Sequence, residues 1–148
     1  MSSVPYRDAT APVLAQDECF QDGVIDAERW SSTVFLPLTM VAGGRAFAIR
    51  DRSALLDHLR ALERKSRELQ IATLRTHIRT VMQDAGDMSI IGVMRDRVST
   101  DGAILGRTSI TFAVLRVGEG WLINQVMFND FRHDPSVVAQ IFLRRSEY

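Results

Sequence analysis

The spacing of apolar residues changes along this chain, from helical in its first part to strand-like in its second. Between residues 88 and 131, three strand-like apolar runs are separated by two turn signals. One is Asp101-Gly102, a dipeptide suited to the positive φ angles of a tight turn, and the other is Gly118-Glu119-Gly120, which can form a three-residue loop. This pattern predicts an antiparallel meander. Just before it, in residues 69–82, Leu74, Thr76, Ile78, Thr80 and Met82 alternate with Arg75, His77 and Arg79, as a half-exposed strand requires. Such a sheet leaves a face to be covered, and the covering elements must come from earlier in the chain.

They are present there. Val13, Leu14, Cys19 and Phe20 allow a short helix that Gly23 would end. Asp26 is a good N-cap for a second helix, in which Ala27, Trp30, Val34 and Phe35 form a stripe and Pro37 is the stop. Leu38–Val41 and Ala46–Ile49 flank Gly43-Gly44 as a hairpin. The clearest helix runs over residues 52–68, capped by Asp51 or Ser53, with Leu55, Leu59 and Leu62 facing in and Leu56 beside them. Glu63 and Arg67 are spaced for a helical ion pair on its solvated face. Residues 1–12, with Pro5 and Pro12, read as a loose N-terminal arm, and Asp134-Pro135 opens a short closing element. The order predicts a single α+β domain over residues 1–148, with N-terminal helices packed into a strongly bent antiparallel sheet.

Composition narrows the partners. Eighteen basic and 18 acidic residues give zero formal net charge, which removes the long-range field that draws proteins to nucleic acid or anionic membranes. The lone Cys19 excludes an internal disulfide and any multi-cysteine zinc site, and no His and carboxylate cluster has metal-ligand spacing. The opening residues carry no apolar signal-like run and no stretch reaches membrane-span length, so the expectation is a cytoplasmic protein with neither cofactor nor metal.

The stretch VFLPLTMVAGGRAFAIRDRSALLDHLRAL, from Val34 to Leu62, and the end pattern Asp101-Gly102, Leu115-Arg116, Gly120-Trp121-Leu122-Ile123 resemble the nuclear-transport-factor-2-like or SnoaL-like superfamily. The resemblance covers roughly residues 13–131. It implies a cystatin-like cone with a central pocket closed by helices, often in a dimer that associates through the sheet. Members of the superfamily range from ketosteroid isomerases and epoxide hydrolases to non-catalytic scaffold domains, so chemistry has to be tested residue by residue.

The isomerase pattern fails. Its early-strand base falls near Val41 or Ala42, its tyrosine near Glu18 and its late-strand acid near Ala113, and none of these carries the needed group. The epoxide-hydrolase pattern fails too, because Arg95-Asp96-Arg97 has the right residue types on alternating faces. If Ala113 faces the pocket, as the resemblance implies, then Asn124, Val126, Phe128 and Asp130 face it on the last strand and Met94 and Asp96 on an earlier one. Asp130 and Asp96 are then the candidate acid–base pair, with pairing to arginines such as Arg107 as the ordinary alternative. His58 is a flanking base candidate beside the leucine stripe, and His77, between two arginines, reads as a surface or dimer-contact residue. Trp30, Met40, His58, Met94, Asn124 and Phe128 complete the candidate ligand-binding set for a small apolar organic molecule. Apolarity alone instead turns Ile110, Phe112 and Val114 inward; both parities hold if the outer face is also buried, which predicts a homodimer through that face. An enzyme, a ligand-sequestering protein and a non-catalytic dimeric module all fit this pattern.

Overall fold

The computed structural model describes residues 5–84 and 86–129. Three helices, α1 (Ala11–Glu18), α2 (Ala27–Ser31) and α3 (Arg52–Glu68), accompany eight strands. The strands are β1 (Phe20–Gln21), β2 (Val24–Ile25), β3 (Val34–Ala42), β4 (Arg45–Ile49), β5 (Ile71–Asp84), β6 (Met88–Ser99), β7 (Ile104–Val117) and β8 (Gly120–Phe128). Strands β3 to β8 make one six-stranded sheet in the order β4-β3-β8-β7-β6-β5. The sheet is mixed rather than wholly antiparallel, because β3 runs parallel to β8. The long chain segment between them, which holds α3 and the meander, is what permits a parallel neighbour.

Local chemistry sets the boundaries. Asp8 Oδ1 accepts from the backbone N–H groups of Thr10 and Ala11, each at 3.0 Å, and Pro12 sits in the first turn of α1, where its missing N–H costs nothing. Tyr6 is tied down as well: its carbonyl accepts from Trp121 N at 2.8 Å, so this part of the expected loose arm is anchored to β8. Asp26 caps α2 by accepting from Arg29 N, and Asp51 caps α3 by accepting from Ala54 N.

The predicted second helix stops at Ser31, well short of Pro37. Thr33, Val34 and Phe35 are β-branched or aromatic and are drawn into sheet pairing, with Thr33 O accepting from Ile123 N at 2.8 Å. Val34 is buried and Phe35 exposed, the alternation of a strand. Pro37 is tolerated in β3 because it falls where the pairing with β8 shifts register, between Val34 and Thr39. The meander turns also resolve. Val117 pairs with Gly120, so the second loop contains two residues, Gly118 and Glu119, rather than three.

The core lies between α3 and the inner face of the sheet. Leu55, Leu59 and Leu62 are buried with Ile91, Val93, Ile110, Phe112, Val114, Ile123, Val126 and Phe128. On β7, then, it is the apolar parity that faces inward, while Ser109, Thr111 and Ala113 turn to the outer face. Two of the register irregularities in the sheet bear on which side chains reach the core. One lies between Ile78 and Thr80, so Leu74 and Ile78 pack against the core while Met82 stands outside, and the other lies between Ile123 and Gln125. Leu59→Ala is expected to lower the unfolding free energy by about 2–5 kcal/mol through the cavity it leaves, and Asp51→Ala by only about 0.5–2 kcal/mol. Urea denaturation followed by circular dichroism checks that ranking.

Candidate functional site

Between α3 and the sheet lies a partly open cavity of ≈ 80 Å³, room for several waters or a ligand of small-ring size. Most of its wall is apolar: Phe20, Trp30, Leu38, Met40, Leu55, Leu62, Ile71, Leu74, Ile110, Phe112, Val126 and Phe128. The polar side chains that reach it are Gln16, His58, Ser66, Arg95, Arg97 and Thr108. Among the described residues, none of those lining the cavity is a carboxylate.

The polar groups are not scattered. Arg95 and Arg97 lie two residues apart on β6, so they share the inner face with Ile91 and Val93. Arg95 spans three elements: its Nε donates to Thr76 Oγ1 at 2.8 Å on β5, Nη1 to Gln16 Oε1 at 3.2 Å and Nη2 to the Val13 carbonyl at 3.2 Å on α1. Its guanidinium also lies 5.4 Å from the centre of the Phe112 ring, within cation–π range. Asp17 Oδ1 is 3.6 Å from Arg95 Nε, and the same carboxylate accepts from Thr76 N and Thr76 Oγ1, each at 2.7 Å. Burial pushes the Arg95 guanidinium below its ordinary pKa, and the Asp17 charge opposes that shift. Arg97 Nη1 donates to Thr108 Oγ1, and Gln16 donates in turn to Thr33 Oγ1 at 3.1 Å. His58 projects from α3 beside the cavity, buried, with its ring centre 6.5 Å from that of Phe47.

Of the residues expected at the site, Trp30, Met40, His58 and Phe128 line the cavity. Met94 and Asp96 do not. Apolar residues of β7 claim the inner face, and through the β6–β7 register this turns Met94 and Asp96 outward and Arg95 and Arg97 inward. Asp96 is buried on the outer side beneath two partners, Arg107 Nε at 2.9 Å and His77 Nε2 at 3.2 Å. Asn124 sits at the β8 bulge, where its Nδ2 donates to the Pro37 carbonyl at 3.2 Å and bridges the irregular stretches of β3 and β8. Asp130 lies outside the described residues. The sequence reading does not bring the two arginines to the cavity; the signal that points them there is their shared parity with Ile91 and Val93.

A helix-covered curved sheet with an internal cavity defines a cone-fold protein of the α+β class. The family model described as NTF2-like protein (DUF6841) matches residues 16–130, and the chain belongs to that family. No curated protein matches it significantly. Among solved structures it is similar to an NTF-2-like protein of unknown function from Shewanella oneidensis MR-1, with a TM-score of 0.61 and 14% identity over 80% of this chain and 93% of that one. A domain of unknown function with a cystatin-like fold from Nostoc punctiforme gives a TM-score of 0.61 at 11% identity, over 91% of this chain and 80% of that one. A ketosteroid isomerase-like protein from Erwinia carotovora atroseptica gives 0.57 at 14% identity, over 80% and 89%. At these identities the likeness is one of fold alone. Among the described residues no helix is long and apolar enough to cross a membrane, and no group of three or more His, Cys, Asp or Glu is placed to hold a metal ion.

Removing the Asp17 carboxylate strands a buried guanidinium, so Asp17→Ala is expected to cost about 3–5 kcal/mol of stability. Glu18→Ala breaks an exposed pair with Arg29 and is expected to cost about 0–1 kcal/mol. Thermal and urea unfolding of the two variants side by side measure the difference.

Proposed function

We propose that this chain binds a small, largely apolar organic molecule inside the cone, with acid–base chemistry on that molecule carried by His58. The observation that supports this is the cavity itself: an apolar wall with a few convergent polar groups is the usual make-up of a small-molecule site. Among the described lining residues His58 is the side chain able to exchange a proton near neutral pH, and it replaces the outward-facing Asp96 in that role. Trp30 lines the cavity and the other tryptophan, Trp121, does not, so intrinsic fluorescence reports occupancy. Titration with cyclohexane-ring probes is expected to change the emission of the parent and of Trp121→Phe, but not of Trp30→Phe. A parent whose emission and thermal stability ignore every such probe would rule out an open site and leave a cone filled for structural reasons.

A second copy of the chain is the proposed occupant of the outer sheet face. Its middle is uncharged over four strands, with Thr80, Met82, Ile90, Gly92, Thr111, Ala113, Gln125 and Met127 facing out, and Met82 is 67% exposed. The charged group of Arg75, Asp96 and Arg107 is confined to one end of that face, which leaves an uncharged area for a two-fold contact. Sedimentation at micromolar concentration is expected to give a dimer, and Ala113→Glu is expected to weaken it at least about tenfold by placing a charge in the contact. A parent that sediments as a monomer would end this proposal.

A further inference from the structure

The cavity is apolar enough to hold a hydrocarbon, yet the chain has turned two arginines into it. The larger part of this arrangement is structural, since Arg95 ties α1 to β5 and β6. Its donors are not used up by that task. A guanidinium has five N–H groups, and the described residues engage three of them: Nε with Thr76, one Nη1–H with Gln16 and one Nη2–H with Val13. One N–H on each Nη is left without an acceptor among the described residues, on a side chain only 9% exposed. A buried donor without an acceptor loses its bond to water and gains none in return, so two such donors mark a place that is incomplete without an acceptor.

The chemistry of that acceptor can be narrowed. Two donors on neighbouring Nη atoms match the two oxygens of a carboxylate, and the pairing is charge-assisted. No described residue lining the cavity is a carboxylate that would repel an anion. Asp17 stands on the Nε side of Arg95, 3.6 Å from Nε, and limits the negative charge that the corner accepts, which favours a monoanion over a dianion. Trp30, Met40, Phe112 and Phe128 supply the apolar wall for the remainder of the ligand.

We propose that Arg95 forms a carboxylate-binding subsite in the cavity, and that the ligand class is a small organic acid with a compact apolar body. This rests on the cavity being a ligand site, and the test separates the two ideas. The probes are cyclohexanecarboxylate, cyclohexanecarboxamide and cyclohexyl phosphate, titrated at pH 7 by Trp30 fluorescence and by calorimetry. In the parent protein the carboxylate is expected to bind about tenfold tighter than the amide, the difference between charge-assisted and neutral hydrogen bonds. In Arg95→Lys, which keeps the charge and loses the two-pronged donor, the preference is expected to fall below about threefold. Amide binding is expected to persist there and to report that the cavity is intact. Equal or tighter binding of the amide by the parent overturns the inference and leaves the pocket reading standing. Tighter binding of the phosphate overturns the carboxylate assignment. If none of the three binds the parent, the pocket reading falls together with the inference. The comparison within the parent protein decides the ligand class even if Arg95→Lys does not fold.

Discussion

Adjacent residues of a strand cannot face the same side, and in this protein one such choice organises the interior. Once Ile110, Phe112 and Val114 of β7 turn toward α3, the pairing register carries the decision sideways: Ile91 and Val93 follow on β6, and Val126 and Phe128 on β8. Arg95 and Arg97 are swept inward by the same rule, although nothing in their own chemistry favours burial. The protein accommodates them by giving Arg95 a neighbouring carboxylate, three hydrogen-bond acceptors and an aromatic face. Polar contacts thereby seat α1, a helix with few buried apolar residues of its own.

The fold was legible in the sequence wherever a period ran long enough to be unambiguous. The leucine stripe of α3, the glycine hairpin between β3 and β4 and the strands of the meander all stand close to where the pattern puts them. The second helix was misjudged because Ala27, Trp30, Val34 and Phe35 satisfy a helical spacing by coincidence, and only the pairing of Thr33 with Ile123, ninety residues later in the chain, reveals the strand. Long-range pairing of this kind leaves no local trace.

The site was half legible. Trp30, Met40, His58 and Phe128 line the cavity as expected, because large apolar residues and a histidine beside a leucine stripe have few other places to go. The resemblance implies an inward Ala113 and with it an inward Asp96 and Met94, whereas the β6–β7 register turns all three outward. The apolar run of β7 held the right answer, since three large buried side chains outweigh any positional analogy drawn from relatives with different chemistry. Asn124 went astray for another reason: alternation was extended across β8 as though that strand were unbroken, and the bulge beside it breaks the count.

That bulge makes β8 two half-strands in different phase. Ile123 and Val126 both face inward although three residues apart, and the Asn124 side chain holds the joint by reaching Pro37 on the parallel neighbour. The pairing of Trp121 through Ile123 with β7 is therefore keyed independently of the cavity wall formed by Val126 and Phe128. Asn124 is the spare residue of that joint: with it removed, Ile123 and Gln125 would be neighbours and β8 would alternate regularly, still presenting Ile123, Val126 and Phe128 inward. The extra residue thus lets β8 reach the Pro37 carbonyl without changing which of its side chains line the interior.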